Sequence, residues 1–190
     1  VIDLVRDDLL IEIQTGNFTA IKAKLGKLVR THRVRLLYPI AVEKWIVKRA
    51  PDDTGDVTRR KSPKRGRVED LFWEMVRIPQ VLAHETLALE VVLIREEEVR
   101  RYDEKRNWRR RGWGTEERRL LDVVEQRVFA NSADWHALLP TDLSESFTTQ
   151  DLAQAAGIRS QLAQKMVYCL REMQVIELAG KQGRFNLYRQ

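Results

Sequence analysis

Ile2-Asp3-Leu4-Val5-Arg6-Asp7-Asp8-Leu9-Leu10-Ile11-Glu12-Ile13-Gln14-Thr15 opens the chain with two strand-forming runs around an Asp-Asp pair. Residues 1–6 and 9–15 are rich in Val, Ile and Leu, and Asp7-Asp8 reads as the turn between them. Alternate side chains of a strand share a face, so Ile11 and Ile13 point one way and Glu12 and Gln14 the other. With a two-residue turn, Asp3 falls directly opposite Glu12, and their Cβ atoms lie about 4.5–5.5 Å apart. Two like charges so placed repel each other. A divalent cation between them relieves the repulsion, and carboxylate oxygens plus water suit Mg2+ or Mn2+. Such an ion activates water and neutralises charge on a phosphodiester. Gln14 would then orient the attacking water, although an amide can neither deprotonate it nor carry positive charge. The same spacing also describes an exposed strand face with scattered polar groups.

Working outward, Gly16-Asn17 breaks the strand pattern, and Asn17 is a suitable N-cap for a helix over 18–31. Phe18, Ile21, Leu25, Leu28 and Val29 form its apolar face. A third strand, Arg33–Ile40, is stopped by Pro39, and residues 42–48 make a possible fourth. Residues 50–67 read as a flexible basic loop. An amphipathic helix over 68–78 ends at Pro79. Residues 86–94 are a continuous apolar strand, and 95–102 with 108–112 suggest a charged hairpin. Thr115 is expected to cap a helix reaching Ala130, and Ser132 a short one stopped by Pro140.

The opening stretch resembles the metal-binding hairpin of PD-(D/E)XK nucleases, where an Asp lies on one strand and an acid-X-Lys triplet on the next. Asp3 matches the first acid and Glu12 the second, while Gln14 stands where Lys is usual. The resemblance implies Asp3, Glu12 and Gln14 as catalytic residues and Asp3 and Glu12 as ligands of Mg2+ or Mn2+. The helix after the hairpin and the strand Arg33–Ile40 fit that superfamily's core order. Such cores usually begin with a helix and a further strand, which would precede Val1. The chain opens mid-pattern without Met, so it reads as a fragment with a core truncated at its N-terminus.

The last stretch has its own pattern. Thr148-Thr149 can cap a helix to about Ala156, Gly157 supplies a turn, and Ser160 caps a second helix to about Met173. Leu162, Ala163, Met166, Val167, Leu170 and Met173 face inward on that helix. Val175–Ala179, the turn Gly180-Lys181-Gln182-Gly183 and Arg184–Arg189 then form a hairpin with a basic tip. This order resembles a winged helix domain. The functional expectation is DNA, with Arg159, Gln161, Gln164 and Lys165 on bases or phosphates and Lys181 and Arg184 on the backbone. Such modules also serve as packing or protein-binding units. The whole chain resembles an uncharacterised bacterial and archaeal family that joins a nuclease-like core to a C-terminal winged helix.

Arg59–Arg67 holds six basic residues in nine and no acid, so Arg59, Arg60, Lys61, Lys64, Arg65 and Arg67 are candidate phosphate contacts, unless the run is simply solvated. Trp108-Arg109-Arg110-Arg111-Gly112-Trp113 suits either base stacking or a strand whose arginines pair with Glu96, Glu97 and Glu98. His32, His84 and His136 show no ligand spacing, so no structural zinc is expected. The net charge of +6 favours a polyanionic partner. The one cysteine, Cys169, fits a buried position in a reducing cytoplasm. No apolar run reaches the roughly 18 residues of a membrane span.

The combined expectation is an α/β (α+β) chain. A restriction-endonuclease-like mixed sheet core occupies 1–49, the basic loop 50–67, a mixed middle region packing on that core 68–140, and a winged helix-turn-helix domain 146–190. The functional expectation is a metal-dependent DNA nuclease. The alternatives are a non-catalytic DNA-binding or regulatory protein with the same fold, and a winged-helix adaptor for proteins. Neither the oligomeric state nor a DNA sequence preference follows from these residues.

Overall fold

The computed structural model describes residues 2–49, 57–103 and 112–190. Most of the expected Trp-Arg hairpin, Trp108 to Arg111, lies outside the described residues, as does the start of the expected loop, 50–56. The elements are β1 (Leu4–Arg6), β2 (Leu9–Ile13), α1 (Phe18–Leu28), β3 (Arg33–Arg49) and β4 (Thr58–Lys61). A 3-10 turn (Val68–Leu71), α2 (Phe72–Met75), α3 (Pro79–Leu82), β5 (Leu87–Tyr102) and β6 (Trp113–Phe129) follow. The chain then forms α4 (Ser132–His136), β7 (Ser146–Thr148), α5 (Thr149–Ala155), α6 (Ser160–Glu172), β8 (Glu177–Gln182) and β9 (Phe185–Arg189).

The fold is mixed α/β. A six-stranded sheet runs β1-β2-β3-β5-β6, with β4 also on β3, and a three-stranded sheet runs β7-β9-β8. β1 and β2 are antiparallel, whereas β2 and β3 are parallel with α1 as the crossover. The chain divides into two compact units. One comprises 1–38, 69–91 and 127–190, and the other 39–68 and 92–126. No helix among the described residues is long and apolar enough to cross a membrane.

In the first unit the opening hairpin forms as the sequence suggests. Asp7 adopts a left-handed backbone at φ 54° in the two-residue turn, and Leu4 pairs with Ile11. α1 buries Phe18, Ile21 and Leu25, but its entry differs from expectation. Asn17 is left-handed and its side chain makes no cap. The carboxylate of Glu74 accepts from the Phe18 N–H at 3.0 Å instead, so a residue 56 positions away satisfies the helix end. Phe18 meets Tyr38 edge-on, with ring centroids 5.1 Å apart. The expected helix over 68–78 is broken into the 3-10 turn and the single turn α2, while Leu71, Phe72 and Met75 are fully buried.

β3 does not stop at Pro39 but continues to Arg49. β2 pairs along residues 33–37 of β3 and β4 along 45–48, so Pro39 lies in the gap between these partners. Proline lacks a donor N–H and costs least where no ladder needs one. The expected fourth strand at 42–48 is the second half of the same strand. β5 likewise runs on through 95–102 as one strand.

The helix expected from Thr115 to Ala130 is not formed; the segment is β6. Its apolar residues come as adjacent pairs, Leu120-Leu121 and Val123-Val124, and this spacing suits either a helical face or two strand faces. Pairing with β5 decides for the strand. Arg95 meets Asp122 at 2.7 Å and Arg101 meets Glu116 at 3.0 Å, an antiparallel register.

In the C-terminal part, Asn131 rather than Ser132 caps α4, through a reciprocal box with Asp134. Thr148 and Asp151 form the same box at α5. Gly157 sits at φ 60°, where a side chain would strain the turn. α6 begins at Ser160 with Arg159, not Ser160, in the cap position.

Candidate nucleic-acid interface

α6 presents a broad buried face of Leu162, Ala163, Met166, Val167, Cys169 and Leu170. Cys169 is buried on this face, as the sequence suggested. Burial pushes the Cys169 thiol up to about 12, above any reactive range. The width has a cause within the unit. One side of α6 packs on α5, and another packs on α2 and α3. The Gln80 amide donates to the Glu172 carboxylate at 2.9 Å, and the Lys165 ammonium lies 5.3 Å from the Trp73 ring centroid. Lys165 is therefore drawn onto an aromatic partner.

What remains open on α6 is a narrow row. Gln161, Gln164, Tyr168 and Arg171 are exposed, with Arg159 exposed just ahead of the helix. Their spacing of three and four residues places them on one face. Tyr168 and Arg171 extend the expected contact set, and helical periodicity from Gln164 was the signal for them. Lys181 and Arg184 are exposed on the β8–β9 hairpin, whose turn carries Gly183 at φ 61°. The Arg184 guanidinium lies 5.0 Å from the Phe185 ring centroid.

The basic run 59–67 is not a uniform loop, because β4 occupies Thr58–Lys61. Arg59 and Lys61 share a strand face and flank Trp45, at 3.9 Å and 5.5 Å from its ring centroid. Arg59 also pairs with Glu97 at 2.8 Å and Lys61 with Glu43 at 2.5 Å. The Lys61 hydrogen bond holds the Glu43 carboxyl below its usual range. All six basic residues of the run are exposed, and Arg59, Lys61 and Arg67 each have a partner within the protein.

Beside them lies a buried charge cluster. Lys44 meets Glu96 at 2.6 Å and Glu98 at 3.2 Å. Arg100 and Thr115 donate to the other oxygen of Glu98, at 2.8 Å and 2.7 Å. Burial pushes the Glu98 carboxyl up, but the hydrogen bonds from Arg100, Thr115 and Lys44 outweigh it and hold the group at about 2. Every described acceptor oxygen of this glutamate has a donor.

The hairpin residues Asp3, Glu12 and Gln14 are each engaged within the protein. The β1–β2 ladder ends at Leu4 and Ile11, and Asp3 and Glu12 are the next residues beyond that pair. Asp3 is exposed, and its carboxylate accepts from the Ile13 N–H at 2.8 Å. Glu12 is only 5% exposed and faces the same way as Val34 and Leu36, toward α1. Its carboxylate meets the Lys24 ammonium at 2.6 Å. Lys24, which the sequence reading did not single out, places a cation beside Glu12. The Gln14 amide donates to the Gly16 carbonyl. No group of three or more His, Cys, Asp or Glu among the described residues is arranged to hold a metal ion.

No solved structure matches the chain. An uncharacterized protein of Treponema pallidum (strain Nichols) is 31% identical over 184 residues, which cover 96% of this chain and 72% of the relative. A sequence profile described as "Domain of unknown function (DUF8091)" matches residues 1–130, ahead of α4 and the three-stranded sheet. The chain therefore belongs to the DUF8091 family.

Proposed function

We propose that this chain binds duplex DNA through the exposed row of α6 and the β8–β9 hairpin, with a winged-helix module grafted on a nuclease-like sheet. The observation that carries this reading is the segment β7-α5-α6-β8-β9, with its strands ordered β7-β9-β8. That order frames a helix pair joined at Gly157 and leaves Gln161, Gln164, Tyr168 and Arg171 open in one line. Glutamine amides suit the paired donor and acceptor of adenine in the major groove. Arg159, Lys181 and Arg184 suit phosphates, which position a protein without reading sequence. The net charge of +6 favours the same partner, and a lone buried cysteine is at home in the cytoplasm.

Fluorescence anisotropy with a labelled duplex tests the reading. Affinity should fall steeply with salt, with a slope of about 0.9 per phosphate contact. Affinity insensitive to salt would count against it, and no retention of DNA at low salt would favour a protein-binding module.

A second reading, metal-dependent phosphodiester hydrolysis, is favoured by one observation: Asp3 and Glu12 directly follow the last pair of the β1–β2 ladder, Leu4 with Ile11. In that reading Asp3 and Glu12 hold Mg2+ or Mn2+, which supplies the activated water, and Gln14 orients that water. The fit is incomplete, since no group of three candidate ligands is found among the described residues and Lys24 already answers the charge of Glu12. Plasmid cleavage with either ion, lost in Asp3→Ala and Glu12→Ala, would support hydrolysis. An intact plasmid under both ions would leave binding as the function.

A further inference from the structure

β6 ends the six-stranded sheet, and among the described residues no strand covers its second edge. It is 17 residues long, and residues 115–128 are exposed on both faces. Leu120, Leu121, Val123, Val124 and Val128 are among them, with Leu120 62% exposed. Half the backbone donors and acceptors of such a strand point outward, ready to pair with another chain. Proteins blunt a long edge with proline, bulges or charged side chains; residues 115–129 contain no proline, and their charges are of both signs, so a partner with the opposite pattern can match them.

We propose that the occupant of this edge is β6 of a second copy, paired antiparallel about a two-fold axis at Asp122. The sequence Glu117-Arg118-Arg119-Leu120-Leu121-Asp122-Val123-Val124-Glu125-Gln126-Arg127 is self-complementary about that residue. With Asp122 opposite its own copy, Leu121 faces Val123 and Leu120 faces Val124. Arg119 faces Glu125 and Glu117 faces Arg127. Directly opposed side chains lie on one face of the sheet, so apolar pairs form on both faces. The two central aspartates do not stand bare, because each is paired with its own Arg95 at 2.7 Å.

Symmetry makes this register selective. A two-fold axis normal to the sheet must pass between a residue and its own copy, since opposed side chains share a face. Moving the axis to Leu121 sets Glu117 against Glu125. Moving it to Val123 sets Arg119 against Arg127. Each neighbouring register opposes like charges and no unlike ones, whereas the Asp122 register opposes Arg119 to Glu125 and Glu117 to Arg127, and its one like pair, Asp122 with its copy, is offset by Arg95. The same edge geometry therefore carries both attraction and discrimination.

Cross-linking gives a direct test, because the chain's one native cysteine, Cys169, is buried. Asp122→Cys should form an intermolecular disulfide on mild oxidation, since directly opposed residues have Cα atoms about 4.5–5.5 Å apart, within disulfide range. Leu120→Cys alone should not cross-link, but mixed with Val124→Cys it should. In sedimentation, Arg119→Glu and Glu125→Arg should each weaken the dimer roughly tenfold, and the double swap should restore it. Circular dichroism on each variant separates this from misfolding. A chain that stays monomeric up to about 1 mM would overturn the proposal. So would Asp122→Cys cross-linking no faster than Leu120→Cys, or a double swap that fails to rescue.

Discussion

The Lys24 ammonium lies 2.6 Å from the Glu12 carboxylate and joins α1 to β2 at a point where the glutamate is almost wholly buried. Lys24 retains 31% of its side-chain exposure while Glu12 keeps 7%, so the glutamate depends more on the pair. Lys24→Ala should destabilise the chain by about 1–3 kcal/mol, because it leaves a buried carboxylate without its cation. The double variant Glu12→Ala/Lys24→Ala should cost less than the two single losses added together. Urea denaturation of the four proteins measures that difference, and strict additivity would mean the pair contributes nothing.

Glu98 should make stability fall in acid. Its carboxyl is held at about 2 against the ordinary 4.5, so the unfolded chain takes up its proton first. The contribution is present above 4.5 and is lost as pH falls from there toward about 2. It is worth on the order of 2 kcal/mol. Glu98→Gln should flatten the fall in melting temperature over that window. An unchanged pH profile in the variant would assign the acid sensitivity elsewhere.

Gly66 is held where no side chain fits. A Cβ there would lie 2.5 Å from Ile40 Cγ2 and 2.7 Å from the Ala41 carbonyl oxygen. The Gly66 N–H donates to that same carbonyl at 2.9 Å, so backbone meets backbone. Gly66→Ala should cost about 1–3 kcal/mol, read as a lower urea midpoint. Gly26→Ala, with open space around it, is the control and should be neutral or slightly stabilising, since alanine favours a helix interior.

DNA affinity should divide among the basic residues according to what already holds them. Lys181→Ala and Arg184→Ala should each lower the salt slope by about one phosphate equivalent. Arg59→Ala should change DNA affinity little and stability more, because Arg59 is spent on Trp45 and Glu97. Gln164→Ala should narrow the gap between preferred and random duplexes without changing the slope. Anisotropy titrations at several salt concentrations distinguish these outcomes.

The elements that were legible beforehand share local causes. The β1–β2 register follows from alternation around Asp7-Asp8, and the α5–α6 pair follows from Thr148, Gly157 and the apolar period of α6. The elements misread have distant causes. The paired apolar residues of β6 satisfy helix and strand alike, and only β5 alongside selects the strand. Asn17 looks like a cap, yet Glu74 supplies it, because a carboxylate from another turn of chain reaches the Phe18 N–H. Lys24 carried no signal, since a lysine on a helix is ordinary until a buried acid lies beneath it.

By itself, the order of residues determined the hairpin register, the crossover through α1 and the helix pair at the C-terminus, because turns, caps and periodicity act within a few positions. Tertiary structure alone decided that Glu12 is buried against Lys24, that Arg59 and Lys61 embrace Trp45, and that β6 stands at the end of the sheet among the described residues. Those outcomes depend on which surfaces meet across long stretches of chain, and a charge takes its meaning from the neighbour that folding brings to it.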